Sequence, residues 1–239
     1  MRAHNPISVA IVDYGLGNLF SVRQACDHAG MTAIITSDVA DLLAADAIVL
    51  PGVGAFGNAM AALRRLDLVA PLSDAAAAGR PVIGICLGLQ LLMTESCEFG
   101  QHRGLGLLEG CVERFPSADR SGVRVKIPQV GWNRVWPGGE GQPSAGSSPV
   151  LWSGTPLEGL SAGEPFYFVH SYYVRPANPA IVLSQTTYAD TTFASTVRQS
   201  NIFACQYHPE RSGAQGLRIY DSLISFVTKT NQAKENLNV

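Results

Sequence analysis

Cys86 lies between two glycines, Gly84 and Gly88, directly after a short apolar run and directly before a helical pattern. A strand, a cramped turn and a helix in that order form a nucleophile elbow, here with sulfur in place of oxygen. The elbow would place Cys86 at the N-terminus of the helix, where the helix dipole favours the reactive thiolate. Alternatively, Cys86 is a small buried residue of the core, as cysteines commonly are. A base elsewhere in the chain would favour the catalytic interpretation.

A candidate base and carboxylate follow far downstream. His208 and Glu210 stand two residues apart after the apolar run 202–205. Side chains two apart at a strand end point the same way, so the carboxylate could hold the imidazole in one tautomer. Pro209 between them favours extended backbone at His208. Alone, this pair could be a surface histidine beside an acid, but together with Cys86 it predicts a catalytic triad.

Composition indicates one soluble globular domain over residues 1–239, with a core at about 7–229. A net charge of −2 without a basic cluster argues against nucleic acid as a partner. Neither a signal peptide nor a bilayer-spanning apolar stretch is recognisable, so we expect no membrane partner. The cysteines are odd in number and scattered without a Cys/His metal pattern, which predicts a reduced, cytoplasmic protein with no metal site. They are Cys26, Cys86, Cys97, Cys111 and Cys205. We also expect no cofactor.

Short strands alternate with helical patterns in the first half, which predicts βαβ units. We expect strands at 8–12, 32–36, 47–50 and 81–85, with Pro51 and Gly52 ending the third, and helices at 19–30, 55–66, 69–78 and 87–95. The second half predicts strands at 123–127, 135–136, 166–174, 181–187, 193–198 and 202–206, then a helix at 216–228. Residues 137–149, rich in Gly, Ser and Pro, predict a mobile surface loop. The fold class is therefore α/β, with a mixed, largely parallel central sheet flanked by helices.

Residues 13–18 begin like a dinucleotide-binding fingerprint between a strand and a helix. Phe20 stands where the third glycine would be, and no convincing acidic residue follows a second strand. We therefore exclude nucleotide binding.

The elbow and the His-Pro-Glu segment resemble those of the class I glutamine amidotransferases, which have a flavodoxin-like fold, and the resemblance extends from Asp13 to about Leu217. Within that class, five segments are similar to the glutaminase subunits of imidazole glycerol phosphate synthases, in histidine biosynthesis. They are residues 13–18, 51–56, 84–88, 126–133 and 167–172. The elbow and His-Pro-Glu are common to the whole class, whereas Lys-Ile-Pro-x-x-Gly-Trp-Asn at 126–133 is typical of this subfamily.

The resemblance implies a thioester mechanism. Cys86 would attack the side-chain amide of glutamine, His208 would protonate the departing ammonia and then activate water, and Glu210 would orient His208. The oxyanion hole would combine the backbone N–H of Leu87 with a second N–H from Val53 or Gly54. The two glycines of the loop 51–54 would permit a peptide flip, although the loop could also be a plain strand-to-helix turn.

The resemblance also implies a glutamine-binding set: Gly54, Gln90, Glu98, Ser171 and Tyr172. Gln90 follows the nucleophile by one helical turn, so its amide could pair with the carboxylate or the amine of the substrate. Glu98 could meet the α-ammonium group, or could be a solvent-facing charge at a helix end. His170 is left without a catalytic role and is interpreted as structural or interface-lining.

A separate synthase partner follows from the same resemblance, because the chain has no evident site for a phosphorylated sugar. The partner would be a (β/α)₈-barrel cyclase in a heterodimer, which would use the ammonia to convert N′-[(5′-phosphoribulosyl)formimino]-5-aminoimidazole-4-carboxamide ribonucleotide into imidazole glycerol phosphate and the aminoimidazole carboxamide ribotide. Candidates for the partner face are Asn18, Lys126, Trp132, Asn133 and Tyr167. Trp132 could instead pack in the core, but Gly131 and Asn133 beside it predict a turn, and turns lie at surfaces.

Three alternatives remain open. A class I amidotransferase subunit of another pathway, such as pyridoxal phosphate or polysaccharide-sugar synthesis, would share the triad. A stand-alone cysteine hydrolase, such as a peptidase, would act without a partner and usually lacks the His-Pro-Glu spacing. A non-catalytic scaffold subunit is disfavoured by the intact Cys, His and Glu.

Overall fold

The computed structural model describes residues 6–139 and 152–237. In chain order the elements are β1 (Ser8–Val12), α1 (Leu19–His28), β2 (Thr32–Thr36), α2 (Val39–Ala44), β3 (Ala47–Gly52), α3 (Phe56–Arg65), α4 (Val69–Ala77), β4 (Val82–Cys86), α5 (Leu87–Leu91), β5 (Met93–Ser96), β6 (His102–Arg103), β7 (Leu108–Arg114), β8 (Gln129–Pro137), β9 (Glu164–His170), β10 (Tyr172–Pro176), β11 (Val182–Tyr188), β12 (Thr191–Gln199), β13 (Ile202–Cys205) and α6 (Gly213–Leu237). Short 3₁₀ turns lie at Pro179–Ile181 and Pro209–Arg211. No helix in the described ranges is long and apolar enough to cross a membrane.

The main sheet has nine strands in the order β2-β1-β3-β4-β13-β12-β11-β8-β9. Its first five strands are parallel, in the order typical of flavodoxin-like folds, and the remaining strands continue it in antiparallel pairs. A smaller mixed sheet has the order β10-β7-β5-β6. The predicted α/β fold with a mixed, largely parallel core is confirmed.

The core occupies both faces of the main sheet. Along β1, Ala10 and Val12 face one cluster of buried side chains, whereas Val9 and Ile11 face the other. This period of two is expected of a strand covered by helices on both sides. The first cluster includes α3 and α4, and the second includes α1 and α6.

Several predicted elements have different bounds. The helix expected at 87–95 ends at Leu91, because residues 93–96 pair with β7 as a strand, and β3 continues through Pro51 to Gly52. The strand expected at 166–174 is interrupted at Ser171, which lies between β9 of the large sheet and β10 of the small one. The strand expected at 123–127 does not form, since that segment makes only an isolated bridge between Ala118 and Arg124.

Other elements had no counterpart in the prediction or are longer than expected. Helix α2 and strands β5, β6 and β7 were not predicted, and α6 is longer at both ends than 216–228. Of the predicted loop 137–149, Pro137 belongs to β8 and residues 140–149 lie outside the described residues. The extent of the single domain stays a prediction.

Three neighbouring parallel strands place the candidate site. In the sheet register Gly52 pairs with Cys86 and Cys205 pairs with Ile85, so β3, β4 and β13 end at the same level. In open α/β sheets, ligands bind at this carboxyl edge. The predicted nucleophile, oxyanion loop and base all follow from these three strand ends.

Candidate active site

Cys86 ends β4 and immediately precedes α5, as the elbow pattern predicts. Its backbone has φ of 54° and ψ of −106°, a conformation that non-glycine residues rarely adopt. A Cβ at Gly88 would overlap the Leu50 carbonyl, so only glycine fits where helix and strand approach. The strained turn places the sulfur at the carboxyl end of the sheet, and the predicted strand-turn-helix geometry around Cys86 is present.

The Cys86 side chain is enclosed rather than solvent-facing, with 5% of its surface exposed. Its sulfur lies 3.9 Å from the Val169 carbonyl oxygen and 3.6 Å from the Gln206 side-chain nitrogen. The carbonyl can only accept a hydrogen bond and the amide nitrogen can only donate one. The Val169 carbonyl can therefore accept a hydrogen bond from the thiol form of Cys86, and the Gln206 amide can donate one to the thiolate form.

The imidazole of His208 and the carboxylate of Glu210 form the predicted pair. Nδ1 of His208 donates to Oε1 of Glu210 at 2.7 Å, and both side chains are almost fully buried. Burial acts to lower the pKa of His208, but the charges of Cys86 and Glu210 and the hydrogen bond to Glu210 outweigh it and raise the pKa to about 10. Nε2 is buried with no conventional hydrogen-bond partner among the described residues. That nitrogen is free to serve the thiol and its substrate.

Strand β9 holds the backbone of His208 in place. The His208 N–H donates to the Tyr167 carbonyl at 3.0 Å. The Ser212 hydroxyl donates to the His208 carbonyl at 2.6 Å and accepts from the Tyr167 N–H at 3.0 Å. The base is therefore fixed by β9 on its main chain and by Glu210 on its ring. Ser212 was not predicted, because a lone serine two residues after Glu210 gives no sequence signal for these two hydrogen bonds.

A cavity of about 280 Å³ opens beside the Cys86 sulfur. All predicted substrate-binding and oxyanion-hole residues line it, with Gly54 in both sets: Val53, Gly54, Leu87, Gln90, Glu98, Ser171 and Tyr172. A larger groove of about 570 Å³, which includes Gly79, Arg198 and Lys229, contains none of the predicted site residues. The smaller cavity is therefore the candidate active site, of a size that suits a small metabolite.

Gln90 and Glu98 are partly committed to the protein. The Gln90 side-chain nitrogen donates to the Tyr172 carbonyl at 2.9 Å and to Oε1 of Gln206 at 3.1 Å. Only the Gln90 oxygen remains for a ligand, so it could accept from an amine but could not donate to a carboxylate. Glu98 is buried and accepts from the Phe56 N–H at 2.5 Å, so its alternative placement as a solvent-facing charge is wrong.

The predicted loop 51–54 is shorter than expected, because Pro51 and Gly52 belong to β3. Val53 and Gly54 remain as the exposed segment before α3, and both line the cavity. Gly54 has a φ of 105°, which side-chain-bearing residues rarely adopt. This short segment is suited to move one peptide group beside the sulfur.

His170 lines the cavity wall from a buried position. Nδ1 lies 2.8 Å from the Tyr172 carbonyl and must donate to it, which leaves Nε2 as an acceptor without a partner among the described residues. Burial is the main reason that the pKa of His170 falls to about 4. A neutral, packed imidazole agrees with the structural interpretation.

The proposed partner-face residues are all at least partly exposed. Trp132 is 57% exposed, so the alternative that it packs in the core is wrong. It lies in β8 opposite Tyr167 of β9, with ring centroids 6.3 Å apart, and the turn predicted around it is also wrong. Asn133 donates to the Thr187 carbonyl and Asn18 caps α1, whereas the side chain of Lys126 is exposed.

Comparisons with known proteins agree with this geometry. The family model described as glutamine amidotransferase class-I matches residues 10–222. The chain is similar to two proteins named imidazole glycerol phosphate synthase subunit HisH. That of Methylococcus capsulatus is 46% identical over 89% of this chain and 93% of the relative, and that of Rhodopirellula baltica is 44% identical over 88% and 94%. Among solved structures, PurLQS from Thermotoga maritima matches with a TM-score of 0.67 and 17% identity, over 92% of this chain and 98% of that one. At that identity the match supports the fold alone.

Proposed function

Because this chain belongs to the class I glutamine amidotransferase family, and within it to the HisH subunits of imidazole glycerol phosphate synthase, we propose the following roles for its residues. The protein hydrolyses glutamine to glutamate and ammonia at Cys86, and the ammonia is used in histidine biosynthesis. The observation that carries this proposal is the buried His208–Glu210 pair beside a strained, cavity-lining cysteine.

The proposed first half-reaction forms the thioester. The Cys86 sulfur attacks the side-chain carbonyl carbon of glutamine, and the C–N bond breaks as His208 delivers its proton to the leaving nitrogen. The pKa of about 10 supports this assignment, because His208 then holds a proton at neutral pH. Ammonia leaves, and the γ-glutamyl group remains bound to sulfur.

The second half-reaction removes that group. Neutral His208 accepts a proton from water through Nε2, and the hydroxide formed attacks the thioester carbonyl. The C–S bond breaks, glutamate leaves and the sulfur regains its resting state. Glu210 stabilises the imidazolium in both halves through its 2.7 Å hydrogen bond to Nδ1.

Both half-reactions pass through a tetrahedral oxyanion that needs preorganised donors. We assign the backbone N–H of Leu87 as one donor, because the elbow directs the first turn of α5 at the sulfur. The second is the N–H of Val53 or Gly54. In the same cavity, the free oxygen of Gln90 and the carboxylate of Glu98 are suited to the α-ammonium group of glutamine, and Ser171 and Tyr172 also line the cavity wall.

The word subunit in the relatives' names implies a second chain. We propose a (β/α)₈-barrel cyclase that joins this chain as a heterodimer and makes imidazole glycerol phosphate and the aminoimidazole carboxamide ribotide from the phosphoribulosyl precursor and ammonia. The exposed ring of Trp132, beside Tyr167, supports a docking face there, and Asn18, Lys126 and Asn133 are its other candidates. A cytoplasmic location stays a prediction.

The experiment that tests this function measures glutamate release by the purified chain alone, with the cyclase, and with the cyclase and its phosphoribulosyl substrate. We expect almost no activity alone and a rise of at least ~10²-fold in the full mixture, the factor that one missing oxyanion donor can supply. Full activity of the isolated chain would favour an independent hydrolase. Stimulation only by a synthase of another pathway would favour a different class I subunit.

A further inference from the structure

We propose that Gln206 is a further catalytic residue, which donates a hydrogen bond to the Cys86 sulfur and is held in that orientation by Gln90. The proposal rests on Cys86 being the nucleophile of the proposed function. It adds a residue immediately upstream of the Tyr-His-Pro-Glu segment to the group that touches the reacting atom.

The orientation of both amides follows from one backbone oxygen. The Tyr172 carbonyl can only accept, so the Gln90 atom at 2.9 Å from it must be nitrogen. The second hydrogen of that nitrogen points to the Gln206 side chain at 3.1 Å, which must present its oxygen. The remaining end of the Gln206 amide, its NH₂ group, then lies 3.6 Å from the Cys86 sulfur. The direction of each hydrogen bond is therefore settled by the one before it.

The position of Gln206 is rigid. It has no exposed surface, and its backbone N–H donates to the Ser195 carbonyl at 2.9 Å, which continues the β12–β13 pairing beyond Cys205. A buried polar side chain without partners would be costly, and the described contacts of this amide are Gln90 and the sulfur. Both ends of the side chain are thus used within the site.

A fixed N–H donor stabilises negative charge on sulfur. That charge is present before the sulfur attacks the amide carbon and again when the C–S bond of the thioester breaks. Gln206 gains and loses no proton in either event, so its role differs from those of His208 and the oxyanion donors. Because Gln90 also lines the substrate cavity, the same chain of hydrogen bonds would connect a glutamine bound there to the nucleophile.

Two substitutions separate donation to sulfur from support of Gln90. Gln206→Met has a similar length but has no donor, and its thioether sulfur is only a weak acceptor. Gln206→Glu keeps an oxygen for the Gln90 nitrogen but replaces the NH₂ group that faces the sulfur. Gln199→Met, at an exposed position at the end of β12, is the matched control. Thermal unfolding of each variant reports whether the fold is retained.

The measurement is the rate of Cys86 alkylation by iodoacetamide across pH, with the modified site quantified by mass spectrometry and exposed Cys97 as internal reference. For both Gln206 variants we expect at least roughly tenfold slower alkylation of Cys86 at neutral pH, as for the loss of a hydrogen bond to a charged acceptor, and a rate profile moved to higher pH. Cys97 and the Gln199→Met protein should be unchanged.

Unchanged alkylation in both variants overturns the proposal. A wild-type rate of Cys86 alkylation in Gln206→Glu together with a slow rate in Gln206→Met also overturns it. That pattern would mean that Gln206 only holds Gln90 in place and does not donate to the sulfur. If Gln206→Met does not fold, Gln206→Glu decides alone. Alkylation needs no glutamine, so a failure of the proposed function would appear separately, as a reactive Cys86 without glutamate release.

Discussion

The backbone carbonyl of Tyr167 accepts a hydrogen bond from the backbone N–H of His208 at 3.0 Å. The Tyr167 ring has exposed Trp132 at 6.3 Å between ring centroids and the Arg211 guanidinium 5.0 Å from its centre. One residue therefore contacts both the exposed aromatic face and the backbone of the catalytic base. A partner that covers Trp132 would press on the strand that positions His208.

Trp132→Ala should weaken stimulation by the partner without impairing the thiol. Removing an exposed ring leaves the elbow intact, so alkylation of Cys86 by a glutamine-analogue electrophile should continue at the wild-type rate. Stimulated glutamate release should fall, or ammonia should escape into solution. Ile34→Ala is the control, since Ile34 is an exposed apolar residue of β2 at the far edge of the sheet. Equal stimulation in both variants would contradict a partner face at Trp132.

His208→Ala and Glu210→Gln should form a graded pair. Without its base the enzyme loses proton transfer, which typically costs roughly 10²–10⁴ in rate. Glutamine at position 210 can still accept from Nδ1 but carries no charge, so the loss should be clearly smaller. Steady-state glutamate release in the stimulated complex measures both, with exposed Glu109→Gln as the control. Equal and negligible effects at 208 and 210 would remove both residues from the site.

Two buried histidines should make stability fall on both sides of neutrality. Burial lowers the pKa of His170 from 6.5 to about 4. Between these pH values His170 is protonated in the unfolded chain but not in the folded one, so the free energy of unfolding decreases as the pH falls. The pKa of His208 rises from 6.5 to about 10, against burial and through Cys86 and Glu210, so the folded chain holds the extra proton and its stability falls as pH rises through this range.

Urea unfolding at about pH 5, 6.5 and 9 measures both effects. We expect His170→Gln to reduce the loss of unfolding free energy between pH 6.5 and 5, and His208→Gln to reduce the loss between pH 6.5 and 9. Exposed His28→Gln should show both losses, as the wild type does. An alkaline side that persists in His208→Gln would contradict the charged His208 of this account.

Gly54→Ala should impair glutamate release more than it impairs folding. Its φ of 105° disfavours a side chain, and a strained segment should present the second oxyanion donor poorly. Loss of such a donor costs roughly 10²–10³ in rate. Gly139→Ala is a close match, with a φ of 108° and open space around the added carbon. Similar activity in the two variants would mean that the segment before α3 takes no part in catalysis.

The sequence predicted the triad because its signals are local. An elbow needs Gly88 against the Leu50 carbonyl, and a tautomer-fixing acid needs a short spacing from His208, so both are visible as motifs. The parallel half of the sheet was predicted for a similar reason, since strands buried on both faces have continuous apolar runs.

The missed features depend on pairing between distant segments. Residues 93–96 form a strand because they pair with β7. The helical sequence pattern that begins after Cys86 continues through these residues, so the sequence predicted a helix there. Gln206 was not recognised because its partners, Gln90 and Cys86, are more than a hundred residues away. Exposure of Trp132 was predicted correctly from an incorrect local structure, since a strand face as well as a turn can lie at the surface.

The most direct test of the account is Cys86→Ala in the complex with the cyclase, assayed once with glutamine and once with ammonium salts. We expect glutamate release and glutamine-dependent formation of imidazole glycerol phosphate to disappear, because no thioester can form. Product formation from ammonium salts should persist at the wild-type rate, because the cyclase receives ammonia without Cys86. Glutamine hydrolysis that persists in Cys86→Ala would contradict the central claim.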